Sequence, residues 1–162
     1  MTAIHFSLLD HHKRMLAYDQ WAMRILLEDL AKLATPDPTA SARLSHILVA
    51  EELWLCRLTG ADTSWATAFF PEKSAAESLE KLAELHKRWN AYLGSLTESD
   101  FGKPVSYKNT KGQVFELPVE VVLTHVFDHS TYHRGQAATA IKKAGGQPRN
   151  TGFSAYMLEN FK

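Results

Sequence analysis

A chain of 162 residues with 45% hydrophobic content is long enough for one substantial core and too short for two domains to be expected, so residues 1–162 read as a single domain. Eighteen basic and eighteen acidic residues leave zero formal net charge, which argues against a broad electrostatic footprint for nucleic acid or an anionic membrane. The one cysteine, Cys56, has no internal disulfide partner, no leader-like segment follows Met1, and no apolar run approaches the roughly 20 residues that span a bilayer, so a cytoplasmic protein is expected.

The first helical pattern covers residues 5–34, with Phe6, Leu9, Leu16, Ile25, Leu26, Leu30 and Leu33 forming a broad apolar stripe before Pro36 and Pro38 interrupt it. A second covers 39–59 on Leu44, Ile47, Leu48, Leu55 and Leu58, with Gly60 placed to end it. After a loop holding Trp65, Phe69, Phe70 and Pro71, a third covers 74–97, where Leu82, Leu85, Trp89, Tyr92 and Leu96 recur at steps of three and four. Between Phe101 and Pro118 short alternating stretches flank a turn with Asn109 and Gly112, which predicts a small hairpin. The fourth helix runs from Pro118 to about Ala144, ahead of Gly145-Gly146. Phe153, Tyr156, Met157 and Phe161 then predict a final turn or short helix packed back on the body. Four long helices with little strand make an all-α bundle.

The fourth helix carries imidazoles at three successive four-residue steps: His125, His129 and His133, the last followed by Arg134-Gly135-Gln136. Residues four apart lie about 40° apart around a helix with Cβ atoms roughly 5–6 Å from each other, so a neighbouring pair can chelate one divalent ion. All three cannot, because eight residues advance about 12 Å. A metal on His129 and His133 therefore takes its third protein ligand from another segment. His46, near the start of the second helix, is the leading candidate; a histidine bonded to a carbonyl or facing water is the equal alternative. Val121, Val122 and Val126 turn part of this surface toward the interior, where unpaired imidazoles are costly and a metal would satisfy several at once. Gly135 points either to close approach of a backbone or ligand or to tight helix packing. Tyr18, Trp21, Trp54, Trp65 and Trp89 read as core aromatics, some of which could line a pocket, and Cys56 as a small core residue.

Ser45-His46-Ile47 on the second helix, together with His129-Ser-Thr-Tyr-His133-Arg-Gly-Gln136 on the fourth, resembles the DinB/YfiT-like superfamily. Tyr18-Asp-Gln-Trp21-Ala22, the segment from Glu52-Leu-Trp54 to Gly60 and the hairpin before the last long helix extend the resemblance over nearly the whole chain. It implies a four-helix bundle with a long crossover between helices 2 and 3, commonly a homodimer, and a divalent metal on His46, His129 and His133. Asp128 stands where many relatives carry asparagine. His125 is then a residue that supports the ligands or walls the pocket. Arg134 reads as a salt-bridge or dimer-contact residue before it reads as a binder of acidic substrate.

Three imidazoles leave at least one coordination position open, as in catalytic rather than closed structural sites. Zinc is the preferred ion, with nickel or manganese as alternatives. The resemblance implies an enzyme that activates a small thiol for transfer to an electrophilic compound, with hydrolysis through activated water as the nearest alternative. A non-catalytic, stress-related metal protein is the reading from another class; it predicts a closed coordination sphere, and a fourth protein ligand such as His5, His11, His12 or His86 would support it. Of these, His11 and His12 read as exposed and His86 as solvent-side.

Overall fold

The computed structural model describes residues 7–109 and 111–160. Four long helices, α1 (Leu8–Ala31), α2 (Pro38–Thr59), α3 (Ala75–Ser95) and α4 (Val119–Lys143), make the bundle. A two-stranded hairpin, β1 (Pro104–Lys108) and β2 (Val114–Pro118), precedes α4, and a short helix α5 (Phe153–Asn160) follows it. The starts are set by local chemistry. Ser7 Oγ accepts from the Asp10 N–H at 3.0 Å, Asp37 Oδ1 accepts from Ala40 N–H at 2.7 Å ahead of Pro38 as first helical residue, and Ser74 and Glu77 form a reciprocal capping box. Gly60 ends α2 in the left-handed region at φ 70°, a conformation that costs glycine nothing. Helix α1 is shorter than the predicted 5–34: it stops at Ala31, where the Lys32 N–H turns back to Asp29 and Leu30. Positions His5, Phe6 and Phe161 lie outside the described residues.

The side-chain pairs between helices give their directions. Ser45 meets Ser78, Glu52 meets Lys81 and Arg88, and Cys56 meets Arg88, so numbers rise together and α2 runs parallel to α3. Parallel neighbours cannot be joined by a tight turn. The segment 60–74 must return along a helix of 22 residues, about 33 Å, and this is the long crossover. His46 beside His129 and Trp54 beside His125 make α2 and α4 antiparallel, while His12 beside Phe127 and Asp19 beside Arg134 make α1 and α4 parallel. Between these helices lies the core of Met23, Leu26, Leu44, Ile47, Leu85, Trp89, Leu93, Leu123 and Ile141. A satellite cluster of Tyr18, Trp21, Ile25 and Tyr156 holds α5 against α1, where the Tyr18 hydroxyl donates to Thr151 O at 2.9 Å. The tail thus packs back as expected, as a helix of two turns. Trp65 departs from the core assignment: it is 40% exposed on the crossover.

His12 also departs from its predicted exposure. It is buried, stacked on Phe101 with ring centroids 5.3 Å apart and near Phe127 at 6.1 Å, and neither ring nitrogen has a hydrogen-bond partner. The helical stripe explains it, since His12 lies one turn before the buried Leu16. Burial lowers its pKa below 6.5, with His11 adding to the effect. The neutral ring is therefore the folded form, and its contribution to stability is complete above pH 6.5 and shrinks as pH falls toward the folded value. His12→Leu is expected to raise stability by about 1–3 kcal/mol at neutral pH, because it removes two unpaired buried polar atoms. Urea unfolding at pH 7.5 and 5.5 checks this, with a larger gain expected at the lower pH; a loss at both would show that the imidazole has a partner in solution.

Candidate metal centre

Helix α4 turns about 100° per residue, so its histidine series faces α2 while Ser130 and Arg134, one step on, face α1. Val122, Val126 and Phe127 are buried and seat the helix; Val121 is exposed. From the opposite side α2 brings His46, and the three imidazoles of His46, His129 and His133 converge with one nitrogen of each within 4.8 Å of the others. The Nε2 atoms of His46 and His129 are 3.1 Å apart. Two nitrogens on one tetrahedral zinc-like ion, at bonds of 2.0–2.1 Å, are about 3.3 Å apart. That pair therefore has the spacing of a shared ion, with a nitrogen of His133 within 4.8 Å of both.

The tautomers point the same way. His46 Nδ1 donates to the Phe69 carbonyl at 2.6 Å, and His133 Nδ1 donates to Gln136 Oε1 at 3.0 Å. Each ring thus carries its proton on Nδ1 and keeps the Nε2 lone pair free, the arrangement usual for imidazole ligands. The ring of His46 is clamped further by Phe70, stacked on it at 3.9 Å with planes 9° apart. Burial, then the fields of His133, His46 and His125, push the His129 pKa down to about 4. His46 and His133 are also lowered, chiefly by burial. Three neutral imidazoles aimed at one point suit a divalent metal.

The crossover loop, rather than either helix, orients His46, and the sequence reading did not single out Phe69 and Phe70 for this. The available signal was an aromatic pair ahead of Pro71 in a loop, where burial for its own sake is unusual. Gln136 was likewise passed over as a partner, although its place three residues after His133 puts it on the same helical face. His125 stands apart from the cluster, its ring 5.8 Å from that of His129 and edge-on to Trp54 at 5.2 Å. None of His11, His12 and His86 joins the three imidazoles: His11 is exposed, His12 lies buried in the stack with Phe101, and His86 is half-buried on α3. Asp128 is exposed. Gly135 is exposed as well, and a Cβ built on it meets nothing within 4 Å, so tight packing against a neighbouring helix of this chain is not its reason.

Behind the histidines lies a polar cluster that the sequence pattern did not disclose. Arg134 is buried; it pairs with Asp19, donates to Ser130 Oγ and Thr131 Oγ1 at 2.8 Å each, and lies 5.0 Å from the centre of the Tyr18 ring. Glu51 of α2 is buried against Asp19 and Ser130, and burial followed by the charge of Asp19 raises its pKa well above the usual carboxyl value, so it is neutral in the fold. Arg134 is therefore the salt-bridge residue, with its guanidinium turned away from the imidazoles.

The DinB family model matches residues 9–160. Protein DinB of Bacillus subtilis (strain 168) is 25% identical over 159 residues, covering 90% of this chain and 92% of that protein. A protein of Geobacillus kaustophilus (strain HTA426) named "Putative metal-dependent hydrolase" is 35% identical over 86 residues, covering 52% of this chain and 47% of that protein. With the family model matched over nearly its whole length, the chain belongs to the DinB family.

Proposed function

We propose that this protein is a divalent-metal enzyme that activates a small thiol for transfer to an electrophilic compound, with His46, His129 and His133 as ligands. The observation that carries the reading is the cluster of three imidazoles, two of them with the tautomer fixed by an Nδ1 hydrogen bond, to which, among the described residues, no fourth histidine, cysteine or carboxylate adds a ligand atom. A zinc-like ion held there supplies an open position at which a thiol sheds its proton near neutral pH. The resemblance of the histidine motif to the DinB/YfiT-like superfamily, which implies thiol activation, favours a thiol over water. Zinc is the preferred ion and nickel or manganese the alternatives. The name of the Geobacillus relative supports hydrolysis as the second reading.

Zinc-reconstituted protein, 2-mercaptoethanol and 1-chloro-2,4-dinitrobenzene provide the test. The sulfur–carbon bond forms as the carbon–chlorine bond breaks, chloride leaves with the electron pair, and the thiol proton passes to solvent. A rate of thioether formation above background that needs zinc and is lost in His129→Ala supports thiol transfer. Zinc-dependent hydrolysis of p-nitrophenyl acetate without thiol would favour the second reading. Neither activity with zinc stoichiometrically bound would speak for the metal-binding role without turnover.

A further inference from the structure

Beside the histidine cluster, between the start of α2 and the last turns of α4, lies a cavity of about 460 Å³ whose walls include Asp37, Thr39, Arg43, Gln136, Thr139 and Lys143. We propose that this cavity binds the carboxylate tail of the thiol whose sulfur occupies the open metal position, with Arg43 as the residue that selects for the anion. The inference rests on the proposed function above and supplies its substrate class: a small thiol carrying a carboxylate.

Continuity with the metal centre comes from two residues. Gln136 lines the cavity and also accepts from His133 Nδ1. Arg43 lines it one helical turn before His46, with its guanidinium carbon 5.0 Å from the centre of the Phe70 ring that stacks on His46. The cavity wall is therefore separated from the imidazoles of His133 and His46 by single side chains, Gln136 on one side and Phe70 on the other.

The wall has the donors that a carboxylate needs. Arg43 is half-buried and forms no ion pair with any carboxylate among the described residues. Lys81 and Arg88 are neutralised in place by Glu52 and Glu84 and Arg134 by Asp19, while the half-buried Arg57, over the rings of Trp54 and Tyr107, donates to the Lys108 carbonyl. An unpaired guanidinium held against an aromatic face is a fork oriented for a planar anion. Gln136 spends its oxygen on His133, so its amide N–H groups face the same space as donors. Lys143 adds a second positive charge at the exposed rim. The one opposing group is Asp37, whose carboxylate is engaged as the α2 cap through Ala40 N–H. Two cations against one capping carboxylate leave the cavity net positive in a chain with no net charge.

Cobalt(II)-reconstituted protein offers a direct readout, through the thiolate-to-cobalt absorption in the near ultraviolet and the visible cobalt bands. Titrations with 3-mercaptopropionate and 2-mercaptoethanol at one fixed ionic strength compare an anionic with a neutral thiol. The parent is expected to bind 3-mercaptopropionate roughly tenfold or more tightly than 2-mercaptoethanol, the size of a charge-assisted hydrogen bond. Arg43→Gln should erase the preference, read as the ratio of the two thiol affinities within the same cobalt-loaded variant. Arg43→Lys should restore part of it, and Lys143→Gln, at an exposed position that the fold does not depend on, should reduce it about twofold to threefold. Equal affinity for the two thiols in the parent, or a preference that survives Arg43→Gln, overturns the proposal. If cobalt binds and no thiol produces the near-ultraviolet band, the thiol reading falls, and propionate decides the subsite separately. A shift of the visible cobalt bands by propionate that Arg43→Gln abolishes supports an anion subsite, and an identical response in the two proteins overturns it. If Arg43→Gln fails to hold cobalt, the Arg43→Lys and Lys143→Gln series reads the same preference.

Discussion

Arg134→Met is expected to destabilise the bundle by about 3–5 kcal/mol, the characteristic cost of removing one partner from a buried ion pair. Methionine replaces the stem of the arginine well enough in volume, so the loss would come from Asp19, left as a buried carboxylate, and from the hydroxyls of Ser130 and Thr131, left without their donor. Arg134→Lys should recover only part of this, because an ammonium group cannot reach the three acceptors in one planar fork. Glu51→Gln tests the electrostatics of the same cluster with the opposite sign. The Glu51 pKa is raised in the fold, so its contribution to stability is complete below about 4.5 and is lost as pH rises toward the folded value. The amide cannot ionise, and Glu51→Gln should therefore gain stability over the parent at neutral pH and show no gain at pH 4. Guanidinium unfolding curves of the three variants at both pH values provide the measurement. An Arg134→Met variant within 1 kcal/mol of the parent would mean that the cluster is hydrated in solution.

His129→Ala is expected to lower metal affinity by more than the roughly 10–100-fold that loss of a supporting hydrogen bond costs, since it deletes one of the three imidazoles of the cluster itself. Gln136→Leu, which removes the acceptor on His133 Nδ1 and keeps all three ligands, should fall within that 10–100-fold range. Elemental analysis after dialysis with zinc separates the two: near-stoichiometric metal in the parent, a trace in His129→Ala, as also in His46→Ala and His133→Ala, and an intermediate loading in Gln136→Leu. Thermal unfolding gives an independent reading. Free zinc at a thousand times its dissociation constant stabilises the folded parent by about 4 kcal/mol and should leave the alanine variants where they were. Protons compete for the same lone pairs, so metal is lost as pH falls. With His129 at about 4 and the other two rings below 6.5, the loss begins below pH 6.5. Equal loading in parent and variants would sink the three-histidine site.

The position of the two residues His129 and His133 on one helical face was legible from their spacing alone, since four residues return a helix nearly to the same direction. The third member was a matter of resemblance until the antiparallel pairing of α2 and α4 set His46 opposite them. His12 shows the reverse case: its position on the apolar stripe foretold burial, and only the habit of reading an isolated histidine as exposed concealed it. The roles of Phe69 and Phe70 were out of reach, because a loop has no period from which a direction can be read.

The sequence by itself determined the four long helices, their caps, the hairpin and the pair of histidines, because each depends on turns of backbone a few residues long and on periodic burial. Tertiary structure alone decided which nitrogen of His46 and of His133 carries the proton, and that Arg134 is spent on Asp19 while Arg43 packs on Phe70. Those outcomes depend on contacts between residues distant in the chain, such as His46 with Phe69 and Asp19 with Arg134, and on the burial that makes an unpaired charge costly.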